Sequence, residues 1–318
     1  MALKLVLLYE TEGMFALCFT GYNRGAGAQK QERLRYFTST TDSAIGGVCK
    51  ADGTVIIPPQ YQLMWNEPGT WVTGPVIILV DTAQPATSAM HYDYRIKAFD
   101  RKGRFLYVPF WYDNGPDYWQ EGLSRFVENE KMGWVDFWGR QAIAARYSFV
   151  APFEKGLAQA CYDCRYITFR PQDEEHCCGY GGGHWVLVDR LGRELMPLGN
   201  DTAAWQANMD SLSRQYFRAQ NFTASQAKVL RCVKKIPEVK RALKVYDSTG
   251  MVIPVVWVHQ PDREYNRHIV AVLTGDEVFE ELYQFSVSGN GRKIKHIDHN
   301  FTTLSLRKWR RAYRNLFE

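Results

Sequence analysis

Short apolar runs broken by polar turns organise the first two hundred residues. Leu123 to Val127 and Trp134 to Asp136 flank a polar tip at Glu128-Asn129-Glu130-Lys131, and Gln141 to Ala145 returns after Gly139. Runs of this length and texture predict antiparallel strands. A recurring phrase closes them: an apolar or aromatic stretch, then Asp-x-x-Gly, then often a proline. It stands at Asp100–Gly103 before Pro109, at Asp136–Gly139, at Asp189–Gly192 before Pro197, and at Asp247–Gly250 before Pro254. A weaker copy has Lys50 in the Asp place ahead of Gly53, running into Pro58-Pro59. The Asp side chain can accept backbone N–H bonds two residues on, and Gly supplies a left-handed backbone without a steric cost. A second phrase, Trp119-Gln120-Glu121-Gly122-Leu123, is matched 34 residues later by Phe153-Glu154-Lys155-Gly156-Leu157. One such unit cannot bury its own Trp and Leu face, so the pattern predicts stacked neighbours.

These phrases resemble the WG-repeat (KWG-repeat) family. The best copy runs from Trp119 to Tyr147, with Glu121-Gly122-Leu123, Lys131, Gly133-Trp134, Val135-Asp136 and Gly139; Ala144 stands in the place of the usual proline. The next copy has Gly156-Leu157 and Trp185 to Gly192, split by a long insert. The copies around Gly53 and Gly103 lack the Gly-Trp pair. The resemblance covers about 45–200 and implies an array of β units in a bacterial repeat module without a shared catalytic site. It also implies that Trp134 and Trp185 are core residues.

Beyond Leu198 the texture changes. Trp205, Met209, Leu212, Tyr216 and Phe217 recur at helical spacing, and a second helix is predicted from Ala224 behind Thr223 as N-cap. Strands are predicted again at 251–259, 268–273, 280–287 and 293–298, the last two joined through Asn290-Gly291, a strong hairpin signal. An amphipathic helix from Leu306 to Phe317 closes the chain. The fold class expected is mainly β: a β-repeat domain over 1–200, then a smaller α+β module over 201–318.

Charge sharpens this division. Residues 1–200 carry 20 basic and 22 acidic groups, and 201–318 carry 19 and 12. The C-terminal part is thus net positive and could meet an acidic partner or surface, although a solvated basic face is the simpler account. No window approaches eighteen apolar residues, so no integral membrane segment is expected. Met1 to Glu12 looks like a first strand rather than a signal peptide. With an odd seven Cys, a cytoplasmic home is favoured, or a periplasmic one if a signal has been removed.

The densest chemistry is Cys161-x-x-Cys164 followed by His176-Cys177-Cys178. Thiolates and imidazole at this density could hold a tetrahedral zinc. A cross-strand disulfide and unbridged thiols at the tip of an inserted hairpin are the other readings, and the last is favoured, so no cofactor is expected. The cluster sits where the repeat needs only a short turn, which marks the insert as extra and exposed. The glycine run 179–183 lacks the Lys-Ser or Lys-Thr of a phosphate loop. His296 and Asp298 share one strand face, expected to point to solvent. Trp65, Trp71, Trp111, Trp138 and Trp205 lie outside the repeat pattern and are candidates for contact with a partner.

The function expected is binding without catalysis. The partner expected is a protein and not nucleic acid, in the most concrete version a secreted toxin for which this chain is an immunity or adaptor factor. Two alternatives stay open. One is a ligand-binding or enzymatic C-terminal domain using His259, Tyr265, His268, His296 or His299, with the repeats as a targeting module. The other is envelope-glycan binding through exposed Trp.

Overall fold

The computed structural model describes residues 32–64, 66–83, 93–112, 115–168, 178–199, 211–213, 215, 222–248, 255–258, 267–273, 282–298 and 303–317. The described residues, all from 32 onward, belong to one compact unit. The protein is mainly β, with several antiparallel sheets and a small helical part towards the C-terminus. The change of texture near residue 200 is therefore a change of secondary structure inside one unit.

Four three-stranded meanders make up the array. The first is β1 (Leu34–Thr38), β2 (Gly46–Lys50) and β3 (Val55–Tyr61), and the second is β4 (Val76–Val80), β5 (Ile96–Asp100) and β6 (Phe105–Pro109). A small hairpin, β7 (Trp111–Tyr112) with β8 (Gly115–Pro116), leads to the third, β9 (Leu123–Glu128), β10 (Lys131–Asp136) and β11 (Gln141–Tyr147). After β12 (Phe149–Val150), the fourth begins with β13 (Leu157–Tyr162). It leaves for an inserted hairpin, β14 (Arg165–Thr168) with β15 (Cys178–Gly181), then resumes as β16 (His184–Asp189) and β17 (Glu194–Leu198). The strands of the best sequence copy and the insertion of a hairpin both match expectation.

The equivalence of the four units is visible in their irregularities. The middle strand slips register between Val48 and Cys49, Ala98 and Phe99, Trp134 and Val135, and Leu187 and Val188. Each slip lies just before the residue that opens the turn, and a bulge there strengthens the local twist. The turns themselves repeat atom for atom. Asp100, Asp136 and Asp189 each accept the backbone N–H two and four residues on through one carboxylate oxygen. The other oxygen takes the guanidinium of the residue at the fourth position, Arg104, Arg140 or Arg193. The motif is thus Asp-x-x-Gly-Arg.

The turns also explain the stacking. Gly103, Gly139 and Gly192 all have positive φ, and each lies over the third strand of the unit before. A Cβ on Gly103 would sit 2.5 Å from the Ile56 carbonyl oxygen, and one on Gly139 2.7 Å from Leu106 Cδ1. Gly133 needs its missing side chain for another reason: a Cβ there would meet the Ile143 carbonyl oxygen at 2.4 Å, because β11 crosses β10 at close range. Trp134 next to it is fully buried against Tyr147 and Phe153, and its indole N–H donates to the Ala151 carbonyl. Trp185, expected to be its counterpart, is only half-buried; it stands four residues before its Asp rather than two, and Leu187 fills the core position.

The C-terminal part holds α1 (Ala224–Lys234), α2 (Pro237–Ser248), α3 (Leu306–Ala312) and α4 (Arg314–Phe317). Its sheet is β18 (Val255–Val258), β19 (Arg267–Leu273), β20 (Phe285–Ser288), β21 (Ile294–Ile297) and β22 (Thr303–Ser305), paired in that order. Thr223 caps α1 in a full capping box with Gln226, as its place before an apolar stripe predicts. One face of the sheet carries Val270, Phe285 and Val287 and packs under α1, α2 and Trp309 of α3. The other presents Ile269 and Ile297 to Phe137 of the array, with Trp119 and Trp138 beside them. No described helix is long and apolar enough to cross a membrane.

Candidate functional site

The inserted hairpin departs from the fourth unit at a corner that the sequence makes specifically. Asp163 has a φ of 57°, and Gly182 and Gly183 also have positive φ. A Cβ on Gly183 would lie 2.2 Å from the Tyr162 carbonyl oxygen, so only glycine lets the returning strand pass. Cys161 and Cys164 fill the inside of this corner. Both are buried, and the Cys161 thiol reaches the carbonyl oxygens of Tyr162 and Gly182. The indole N–H of Trp185 donates to the same Gly182 carbonyl at 2.9 Å.

A dense polar cluster fixes the foot of the hairpin from outside. The Tyr162 hydroxyl donates to Glu194 at 2.6 Å. Arg146 donates to the Tyr147 hydroxyl at 2.7 Å and to the Gly192 carbonyl at 2.8 Å. The rings of Tyr147 and Tyr162 lie 4.9 Å apart. Ser148 receives the backbone N–H of Asp163 at 2.9 Å and the Lys131 ammonium at 3.3 Å. Burial first, and then the carboxylate of Glu194, push the Tyr162 phenol well above its ordinary range. The third unit is thereby tied to both outer strands of the fourth.

The hairpin above this foot has an inner and an outer strand. On β15, Tyr180 stacks on Phe149 at 4.3 Å. All four residues of β14 are exposed, with Tyr166 at 39% and Ile167 at 40%. An exposed aromatic next to an exposed β-branched side chain, on a strand whose base is rigidly set, is the composition of a contact surface. Arg146, Tyr162 and Glu194 were not legible as neighbours in the sequence; the one available signal was the fixed distance of Glu194 from the Gly192 turn.

The thiols divide in a way that their spacing did not show. Cys161 and Cys164 hydrogen-bond to each other, and burial pushes both thiols up. Burial thus favours the thiol over the thiolate, which is the reactive form. Both cysteines lie at the base of the hairpin, not at its tip. Cys178 is paired with Thr168, four residues along from Cys164, which at ~3.3 Å per residue is about 13 Å away. His176, Cys177 and the side chain of Cys178 lie outside the described residues. Among the described residues no three His, Cys, Asp or Glu side chains gather as metal ligands.

The tryptophans divide as well. Trp71 is 40% exposed, with the Arg33 guanidinium 3.9 Å over its ring. Trp111 is half-buried. Trp138 is half-buried: one side of its ring meets Phe137 at the joint with the C-terminal sheet, and the Arg140 guanidinium lies 4.6 Å over it. Trp65 and Trp205 lie outside the described residues.

The C-terminal histidines are not a solvent-facing strand. His296 is fully buried, because the register sets it beside Phe285 on the face under the helices, where it stacks on Trp309. His268 is buried on the same face, and burial pulls its imidazole below the ordinary value. His259, Tyr265 and His299 lie outside the described residues. His268 yields a test. The unfolded chain binds its proton more readily, so stability is complete above about pH 6.5 and falls as the pH drops through that value. The urea midpoint should decline between pH 7.5 and 5.5, and less so in His268→Gln. Equal declines in the two proteins would show that His268 does not carry the effect.

No protein-family model, curated protein or solved structure matches this chain.

Proposed function

We propose that this chain is a non-catalytic, protein-binding repeat protein, related to the WG-repeat proteins, with the β14–β15 hairpin as its recognition element. The supporting observation is β14: four consecutive exposed residues, Tyr166 and Ile167 among them, on a corner clamped from inside by Cys161 and Cys164 and from outside by Tyr162 and Glu194. A preset strand binds with less loss of conformational freedom than a loose loop. The immunity or adaptor version of this role rests on the resemblance of the repeats alone.

The test replaces residues 165–181 with an Asn-Gly turn. Phe149 loses the stack with the deleted Tyr180, so the fold should lose only about 0.5–1.5 kcal/mol. Affinity purification from the cells that encode the protein, run beside wild type and Tyr166→Ser/Ile167→Ser, should recover the partner with wild type only. A shortened protein that folds and recovers the same partner equally well sinks the assignment of the hairpin.

A further inference from the structure

The fold concentrates positive charge that is dilute along the chain. Helices α1, α2 and α3 all lie on one face of the C-terminal sheet, held by a single core that includes Val229, Val239 and Trp309. Their apolar sides face the sheet, so their polar sides form one outer surface. On α1 and its C-cap, Lys228, Arg231 and Lys235 recur at three- and four-residue spacing and are exposed. Lys240 and Lys244 do the same on α2, and Arg307, Arg311 and Arg314 along α3 and α4. With their neighbours they bring the exposed Lys and Arg of this layer to twelve. Glu238 is the one acid among the described side chains of these helices, and Arg310 binds it at 2.8 Å.

Three kinds of partner could answer such a face. An anionic membrane attracts clustered cations too, but holds a helical face firmly when apolar side chains also insert. Trp309 is instead fully buried, and no large exposed apolar side chain of the described residues lies on this layer. A protein partner would be met by aromatic and aliphatic residues at the centre of the contact, with lysine depleted there, which describes β14 and not these helices. Nucleic-acid interfaces are strongly positive and polar. Single strands call for exposed aromatic platforms, and the described residues of the layer show none. A duplex backbone requires only spaced cations.

We propose that the outer helical face binds the phosphate backbone of a nucleic-acid duplex, independently of sequence. This role is separate from that of the hairpin. DNA and RNA duplexes share the chemistry, and the test separates them.

The full chain is titrated into a fluorescein-labelled 20-base-pair DNA duplex and an RNA duplex of the same sequence, and fluorescence anisotropy is followed at several salt concentrations. With four to six phosphates neutralised, affinity should fall about 150- to 1800-fold between 50 and 200 mM salt. Preference for one duplex identifies the source. The variant Lys228→Glu/Arg231→Glu/Lys240→Glu/Lys244→Glu should lose at least about tenfold more affinity at 50 mM salt than the hairpin-shortened protein, which should bind as wild type does. If the four reversals disturb folding, the same four positions changed to Gln serve instead. Three results overturn the proposal: no duplex binding at 50 mM salt, equal binding by the charge-altered variant, or binding only to phosphatidylglycerol vesicles or polyglutamate.

Discussion

Arg190→Ala is expected to destabilise the protein by about 3–5 kcal/mol, the range for breaking a buried ion pair from one side. Arg190 and Glu121 are both buried, with the guanidinium 2.9 Å from the carboxylate. Arg190 also donates to the backbone carbonyl of Glu121, and the Glu121 carboxylate receives the backbone N–H of Gly156 at 2.8 Å. These bonds join the third unit to the fourth at the two turns that begin their strands. Burial already pushes the Glu121 carboxyl up against the opposing pull of Arg190. Without Arg190 the carboxylate would be left charged in a dry site, or would take up a proton. The loss should therefore shrink as the pH falls, because the unfolded carboxyl still ionises at its ordinary value and folding then takes up a proton. Urea unfolding of both proteins at pH 5 and pH 8 checks both claims. A loss under 1 kcal/mol, or one that grows on acidification, would show that the pair does not join the units.

How much of this was legible depends on the range of the interaction. The turn at Asp136–Gly139 follows from local chemistry, and its positive φ at Gly139 was predictable from sequence. An arginine stands four places after each of the three Asp, Arg104, Arg140 and Arg193, at a spacing as regular as that of the glycine. Glu121 and Arg190 are 69 residues apart, and only stacking brings them together. The first two units lack the Gly-Trp pair, yet Gly47-Val48 occupies the place of Gly133-Trp134: a Cβ on Gly47 would meet the Ile57 carbonyl oxygen as one on Gly133 meets that of Ile143. Glycine is needed there in the first and third units, whereas Lys97 and Val186 hold the same place in the second and fourth. The hairpin was legible as excess length between two arms of one unit. Its foot was not, because Tyr162, Arg146 and Glu194 come from three strands of two units.

The same limit applies to the charge of the C-terminal part. Net charge over a long segment gives no direction, and helical spacing gives one only after the buried side is known. Lys228, Arg231 and Lys235 become a surface because Val229, Leu230 and Val233 are claimed by the sheet. The resemblance of the repeats, by contrast, speaks to the array and carries nothing about the helices.

Phe137→Arg should cost a comparable 3–5 kcal/mol, about the penalty of a buried charge left without a partner, and its effect should be confined to one side of the molecule. The position is the first after the turn Asp. In the second and fourth units it is Arg101 and Arg190, whose guanidinium groups donate to the Glu32 and Glu121 carbonyls of the preceding unit. For Phe137 of the third unit, the preceding second unit has Gly74 in the place that Glu121 holds in the third, which brings no carboxylate, and Phe137 instead turns to Ile269 and Ile297. An arginine would follow the repeat pattern and yet meet only apolar side chains and the rings of Trp119 and Trp138. The C-terminal sheet should then loosen from the array. Hydrogen exchange should accelerate at 269–271 and 285–287 while the amides of β1 to β3 keep their protection. Phe137→Leu, which keeps the site apolar, should cost no more than about 1.5 kcal/mol. If Phe137→Arg melts with wild type, or if exchange rises equally in β1 to β3, the two halves are not held together through Phe137, and the array is coupled to the helical module by other contacts such as the Ser213 hydroxyl on the Lys155 carbonyl.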